Sequence, residues 1–78
     1  MRCVFVQFLC TPGQTYAVAD AIYEREVVSE LYSTSGAFDL IAKVYIPDEA
    51  DPGHFLNEKL FDIPGISRTL TTMTFKAF

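Results

Sequence analysis

Basic residues are scarce in this 78-residue chain: six Lys and Arg stand against ten Asp and Glu, giving a net charge of −4 and a pI near 4.6. The six, Arg2, Arg25, Lys43, Lys59, Arg68 and Lys76, fall singly, so no stripe exists that would neutralise a run of phosphates and release counterions. Direct nucleic-acid binding is not expected, and an anionic membrane surface is disfavoured for the same reason. No apolar run approaches the ~20 residues of a membrane span. The chain has one histidine and lacks a Ser/His/Asp set, a Cys-x-x-Cys pair, an HExxH motif and a phosphate-binding Gly-rich loop, so neither catalysis nor a cofactor is expected. Cysteine is limited to Cys3 and Cys10, at the two ends of one apolar run, CVFVQFLC. If that run is a strand, the thiols lie roughly 23 Å apart at about 3.3 Å per residue, and a disulfide needs Cα atoms within about 7 Å. Free thiols fit a reducing cytoplasm. Arg2 precedes an apolar stretch, but no small-residue cleavage site follows to make it a secretory leader.

What the chain has in abundance is apolar surface. Half its residues are hydrophobic, seven are Phe and four Tyr, and mean hydropathy is positive. A chain this short makes one domain and buries only about 60–65% of the surface that its unfolded form exposes. Without disulfide or metal, such a domain leans on a partner chain for stability.

Periodicity changes wherever turn residues fall. Residues 3–9 are β-branched and aromatic, with apolar side chains on both parities, as in a strand covered on both faces. Thr11-Pro12-Gly13 breaks the strand; Thr11 or Thr15 is expected to cap a helix over about residues 13–26, with Val18, Ala19, Ile22 and Tyr23 at helical spacing. Residues 27–34 alternate, Val27 and Leu31 on one side, Val28 and Tyr32 on the other. Ser35-Gly36 turns into a strong strand over 38–46, ended by Pro47. A second helix is expected over about 52–62, with Phe55, Leu56, Leu60 and Ile63 on its buried stripe and Asp51 at its positive end. Pro64-Gly65 stops it. The last strand, ISRTLTTMTF, puts Thr69, Thr71 and Met73 on one face and Leu70, Thr72 and Thr74 on the other.

The order β-α-β-β-α-β is the split βαβ arrangement. Two helices cover only one face of a four-stranded sheet, yet the first and third strands are apolar on both parities. The second face is therefore expected to be hidden in a dimer whose sheets meet face to face.

Few residues are placed to carry chemistry. His54, at the start of the second helix, reads as structural or inert. Asp48, Glu49 and Asp51 read as a solvated approach to that helix sooner than as a metal site. The informative segment is Ser33 to Leu40, where an acid, Asp39, opens an otherwise apolar strand close to Gly36, whose bare backbone admits close approach. Two readings stay open. Either Ser35-Gly36 makes the turn and Asp39 satisfies its amides, or backbone N–H groups near Gly36 hold a carboxylate while Asp39 holds an ammonium, a clamp for an amino acid.

GQTYAVADAIYEREVVSELYSTSGAFDLIAKV followed by IPGISRTLTT resembles the effector-binding (RAM) domain of the Lrp/AsnC, or leucine-responsive/feast-famine, transcription regulators, from the Pro12-Gly13 turn to the Thr-x-Thr strand. The resemblance implies an α+β, ferredoxin-like βαββαβ sandwich: a four-stranded antiparallel sheet with two helices on one face, dimerising through the sheet. It also implies assembly of homodimers into larger rings, commonly octamers, with an amino-acid effector bound where dimers meet. By position, Gly36 and Asp39 become the hairpin contacts with Ser35 and Phe38 beside them, and Thr69 and Thr71 offer hydroxyls from a neighbouring subunit. Position 37 is Ala where the family usually has a polar or acidic residue. Residues 1–78 correspond to the sensor alone, without the helix-turn-helix of typical members, so hetero-assembly with helix-turn-helix regulators is the implied route to DNA.

The expected function is a non-enzymatic, small-molecule-binding oligomerisation domain acting in transcriptional regulation or amino-acid metabolism. Two alternatives are a small monooxygenase-like enzyme of the dimeric α/β-barrel class, with its site inside the sheet cleft, and an assembly adaptor that binds no ligand.

Overall fold

The elements arise where the periodicities place them. The computed structural model describes residues 1–78 and contains β1 (Arg2–Cys10), α1 (Thr15–Glu24), β2 (Val28–Ser33), β3 (Leu40–Ile46), α2 (Pro52–Lys59) and β4 (Ile66–Met73). The strands pair antiparallel in the order β2-β3-β1-β4, so β3 is inserted between β1 and β2. This is the ferredoxin-like sandwich expected from the sequence, with both helices on one face. No helix is long and apolar enough to cross a membrane.

Strand alternation builds the core. Val4, Val6, Phe8 and Cys10 of β1 and Leu40, Ala42, Val44 and Ile46 of β3 are buried against Val18 and Ile22 of α1 and Leu56 of α2, with Leu60 and Ile63 just beyond it. All 14 buried residues are apolar, so no ion pair or polar network specifies the interior. Burial of these side chains is the main stabilising term, each worth about 1.5–3 kcal/mol when fully removed from water.

Local chemistry moves several boundaries. Neither Thr11 nor Thr15 caps α1. Thr11 to Gln14 closes as a turn, Gln14 N–H donating to the Thr11 carbonyl at 2.9 Å, and this puts Gln14 at the N-cap with no side-chain hydrogen bond. A capping hydroxyl has to sit on that non-helical residue, and Thr15 is already helical. The helix ends at Glu24 because Glu26 adopts the left-handed conformation at φ 58°, and Tyr23, expected on the apolar stripe, is exposed. Asp51 is the N-cap of α2, its Oδ2 accepting from His54 N–H at 3.0 Å ahead of Pro52 in the first turn. That helix stops at Lys59, short of 62, yet Leu60 and Ile63 still reach the core. Asp48 pairs with the Met1 ammonium at 3.1 Å, and no three His, Cys, Asp or Glu side chains converge as metal ligands.

The alternation expected in β2 fails for a physical reason. Val28 pairs with Val44 but Glu30 with Lys43, so a bulge absorbs Ser29 and brings Val28 and Leu31 to the same, helix-covered side. Tyr32, opposite Ile41, goes to the other face. Likewise β3 begins at Leu40, two residues later than expected, and β4 ends at Met73, after which the Thr74 hydroxyl donates to the Cys3 carbonyl.

The face away from the helices carries Phe5 and Leu9 of β1, Ile41 and Tyr45 of β3, Tyr32 of β2 and Leu70 of β4. Tyr32, Tyr45 and Leu70 are 58%, 42% and 48% exposed. Lys43, Glu30 and Arg68 bring charge to the same face. Lys43 Nζ is 3.4 Å from Glu30 Oε2 and 5.5 Å from the centre of the Tyr45 ring, and the Tyr32 hydroxyl donates to Glu30 Oε1 at 2.7 Å. The Tyr32 hydroxyl first, and then Lys43, hold the Glu30 carboxyl below its usual range.

Gly65 ties the two halves together. It sits at φ +97°, and a Cβ there would lie 2.8 Å from Val18 Cγ2; its carbonyl accepts from Thr11 N–H at 2.8 Å. Both the backbone conformation and the close approach of α1 require glycine. Gly65→Ala is expected to destabilise the fold by about 1–3 kcal/mol, measured by urea unfolding at fixed protein concentration. Gly13→Ala carries the conformational cost alone, since nothing lies within 4 Å of its added Cβ, and should cost less.

Candidate functional site

The split topology brings the β1–α1 turn and the β2–β3 hairpin to the same end of the sheet, because β1 and β2 run in the same direction and both end there. Between Ser33 and Leu40 the hairpin is held by its own short-range bonds. Thr34 N–H donates to the Asp39 carbonyl at 2.9 Å, and the Thr34 hydroxyl donates to the Phe38 carbonyl at 2.9 Å. Gly36 takes φ +104° at the tip, with open space where a side chain would be.

Asp39 extends the sheet with its side chain. Its N–H donates to the Phe8 carbonyl at 2.9 Å, and its Oδ2 accepts from Cys10 N–H at 2.8 Å, so main chain and carboxylate both hold β1. The part of the bracing reading that has Asp39 satisfying an amide is thereby realised, though the amide belongs to β1 and not to the turn. The second carboxylate oxygen makes no hydrogen bond within the chain. Asp39 borders an open depression of about 450 Å³ whose other walls are Thr15 and Tyr16 of α1 and Ser33, Thr34 and Ser35 of the hairpin. The first turn of α1 has no side-chain cap, so its amides are unclaimed beside this depression.

Cys10 lies under the same corner. Burial first, and then the Asp39 carboxylate, push its thiol above the ordinary range, while the Thr15 hydroxyl pulls the other way. A thiol so placed stays protonated and packs as a small apolar side chain.

The six residues singled out from the sequence do not form one cluster within a single chain. Ser35 and Asp39 share the depression. Gly36 shapes the tip without lining it. Phe38 is buried with the Arg68 guanidinium 5.7 Å from its ring centre, and since Arg68 pairs with Leu9 on the open side of β4, Phe38 is drawn to that side. Thr69 and Thr71 lie opposite Phe8 and Val6, on the helix-covered side of β4. β1 separates them from β3, which sets two strand spacings, about 9–10 Å, between Thr69 and the row of Leu40. Sequence reasoning missed Thr15 and Tyr16. The element order already held the signal, because a βαβ unit with the third strand inserted must put the first turn beside the hairpin.

The chain matches the family model for the Lrp/AsnC ligand binding domain over residues 3–78. Among solved structures, TTHA0845 from Thermus thermophilus is 29% identical with a TM-score of 0.89, covering 100% of this chain and 98% of its own. The hypothetical protein PHS023 from Pyrococcus horikoshii is 27% identical, TM-score 0.84, covering 99% and 93%. The transcriptional regulator NMB0573 from Neisseria meningitidis, solved as a complex with L-Met, is 14% identical with a TM-score of 0.81; this chain is 96% covered and spans 50% of that protein. No curated protein matches.

Removing the carboxylate separates bracing from other roles. Asp39→Ala leaves Cys10 N–H without its acceptor and is expected to cost about 1–3 kcal/mol of stability. Asp39→Asn keeps an oxygen for that amide, so its melting temperature should stay close to the parent's. Thermal unfolding of the two variants at equal concentration checks this.

Proposed function

We propose, on the premise that this chain belongs to the Lrp/AsnC ligand-binding domain family, that it is an effector-binding and assembly domain. Its effector is a free amino acid, and it acts in the cytoplasm on transcriptional regulation or amino-acid metabolism through partner proteins. The observation that carries the reading is the Asp39 carboxylate: one oxygen is fixed by the Cys10 amide, the other is open to a depression ringed by hydroxyls and by the uncapped start of α1. A zwitterion needs an anion for its ammonium and N–H or O–H donors for its carboxylate, and this corner offers both within one small volume. The L-Met complex of the Neisseria regulator, a protein of the same fold, supports an amino acid as the class of effector.

Assembly belongs to the same proposal. The open sheet face carries Phe5, Leu9, Ile41 and Leu70 around Gln7, more apolar surface than a chain this short is expected to leave in water. Two copies meeting on this face make the homodimer, and dimers join into a higher oligomer, an octamer in the family's usual form. Where dimers meet, Thr69 and Thr71 of a neighbouring subunit complete the effector site that Ser35, Gly36 and Asp39 begin. Co-assembly with helix-turn-helix regulators is the route by which this reading links the domain to transcription. Catalysis has no part in this reading, since His54 is exposed in the first turn of α2, on the side of the sheet opposite the cleft that a barrel-class enzyme uses.

Two measurements test it. Sedimentation at micromolar concentration is expected to show a dimer or a multiple of dimers, and an 8.8 kDa monomer refutes the assembly. Thermal shift against the twenty amino acids is expected to single out a ligand, which at 100 times its Kd adds about 2.7 kcal/mol. Asp39→Asn should then weaken that ligand about ten- to a hundredfold by removing the charge that faces the ammonium. Unchanged affinity in Asp39→Asn returns Asp39 to a bracing role alone.

A further inference from the structure

We infer that the depression beside Asp39 selects neutral amino acids whose side chains carry a hydroxyl or a carboxamide, and discriminates against their aliphatic isosteres; this rests on the effector reading above and narrows it to a ligand class. The first ground is the wall. Five of the six lining residues, Thr15, Tyr16, Ser33, Thr34 and Ser35, bear hydroxyls, the sixth is Asp39, and no aliphatic side chain lines the depression.

Hydrogen-bond accounting gives the second ground. Within this wall only the Thr34 hydroxyl is committed, to the Phe38 carbonyl, whereas those of Thr15, Tyr16, Ser33 and Ser35 make no hydrogen bond within the chain. Water satisfies these four while the depression is open. An aliphatic side chain displaces that water and returns nothing, so the hydroxyls are stripped of partners. A side chain with its own hydroxyl or amide exchanges one set of hydrogen bonds for another. Hydroxyl walls both donate and accept, so they serve either group.

Charge supplies the third. Asp39 is the only acidic or basic residue that this chain contributes to the wall, and a zwitterion's ammonium consumes it. A second cation on the ligand, as in lysine or arginine, finds no further anion there, and a second carboxylate faces both Asp39 and a chain of net charge −4. What remains is a side chain that is polar and uncharged. Tyr16, 72% exposed, lines the same depression and adds a further hydroxyl to it.

Isosteric pairs isolate the effect, because the members of each pair differ little in size. Calorimetric titration of the full-length, assembled protein with threonine against valine, asparagine against leucine, and glutamine against methionine is expected to favour the polar member of at least one pair tenfold or more. Serine and alanine serve as the small-ligand pair. In the double variant Ser33→Ala, Ser35→Ala, the preference should collapse to within threefold while the fold melts near the parent temperature, since both side chains are exposed. Asp39→Asn, by contrast, should weaken both members of a pair alike. Binding of an aliphatic member as tight as or tighter than its polar isostere overturns the inference and leaves the effector reading intact. A preference for lysine or arginine over glutamine does the same. Binding by none of the amino acids overturns the effector reading and, with it, this one.

Discussion

One sheet covered on one face is the constraint from which the rest follows. β1 and β3 lie side by side at the centre, each paired on both edges, and together they supply eight of the buried residues. No polar side chain enters the helix-covered core, because fourteen apolar side chains in a chain this short leave no interior volume for a satisfied polar group. The sheet's ends therefore carry the groups able to meet a small molecule, and its bare face carries those able to meet another chain. Geometry segregates the two kinds of surface: hydroxyls, a carboxylate and uncapped amides at the strand ends, apolar side chains across the strand faces.

Most of this architecture is legible in the residues. CVFVQFL and FDLIAKVYI show the central strands, Thr-Pro-Gly and Ile-Pro-Gly mark the breaks, and the element order leaves few topologies to consider. What escapes is whatever depends on a neighbour in space. The Ser29 bulge is set by how Val28 and Leu31 share the helix-covered side, and no period-two pattern carries that information. Glu26 in the left-handed region ends α1 two residues early, although glutamate is an ordinary helix former. The Thr11-to-Gln14 turn decides which residue is the N-cap, and the hydroxyls on either side of it are left for other uses.

The candidate site was legible in part for the same reason. Asp39 stands out from sequence because an acid at the head of an apolar strand demands an explanation. That its carboxylate substitutes for a ladder bond to Cys10, while still presenting one oxygen outward, depends on the register of β1 against β3. The two readings of the hairpin are thus not exclusive: fixing one oxygen in the sheet orients the other outward. Thr69 and Thr71 illustrate the opposite case. Their alternation along β4 is right, but β1 stands between them and the hairpin of the same chain, so only a second copy is able to unite them with Asp39.

The two cysteines, at opposite ends of one strand and of opposite parity, divide the chain's thiol chemistry by side. Cys3 belongs to the uncovered face and Cys10 to the packed one, where burial and a neighbouring carboxylate keep it protonated. A soft electrophile in solvent thus meets the first thiol whenever the sheet is bare and the second only when the helices lift away. This small domain carries two reporters on a single strand, one on the exposed face and the other answering to unfolding, told apart by fragmentation of the alkylated peptide without any residue being introduced.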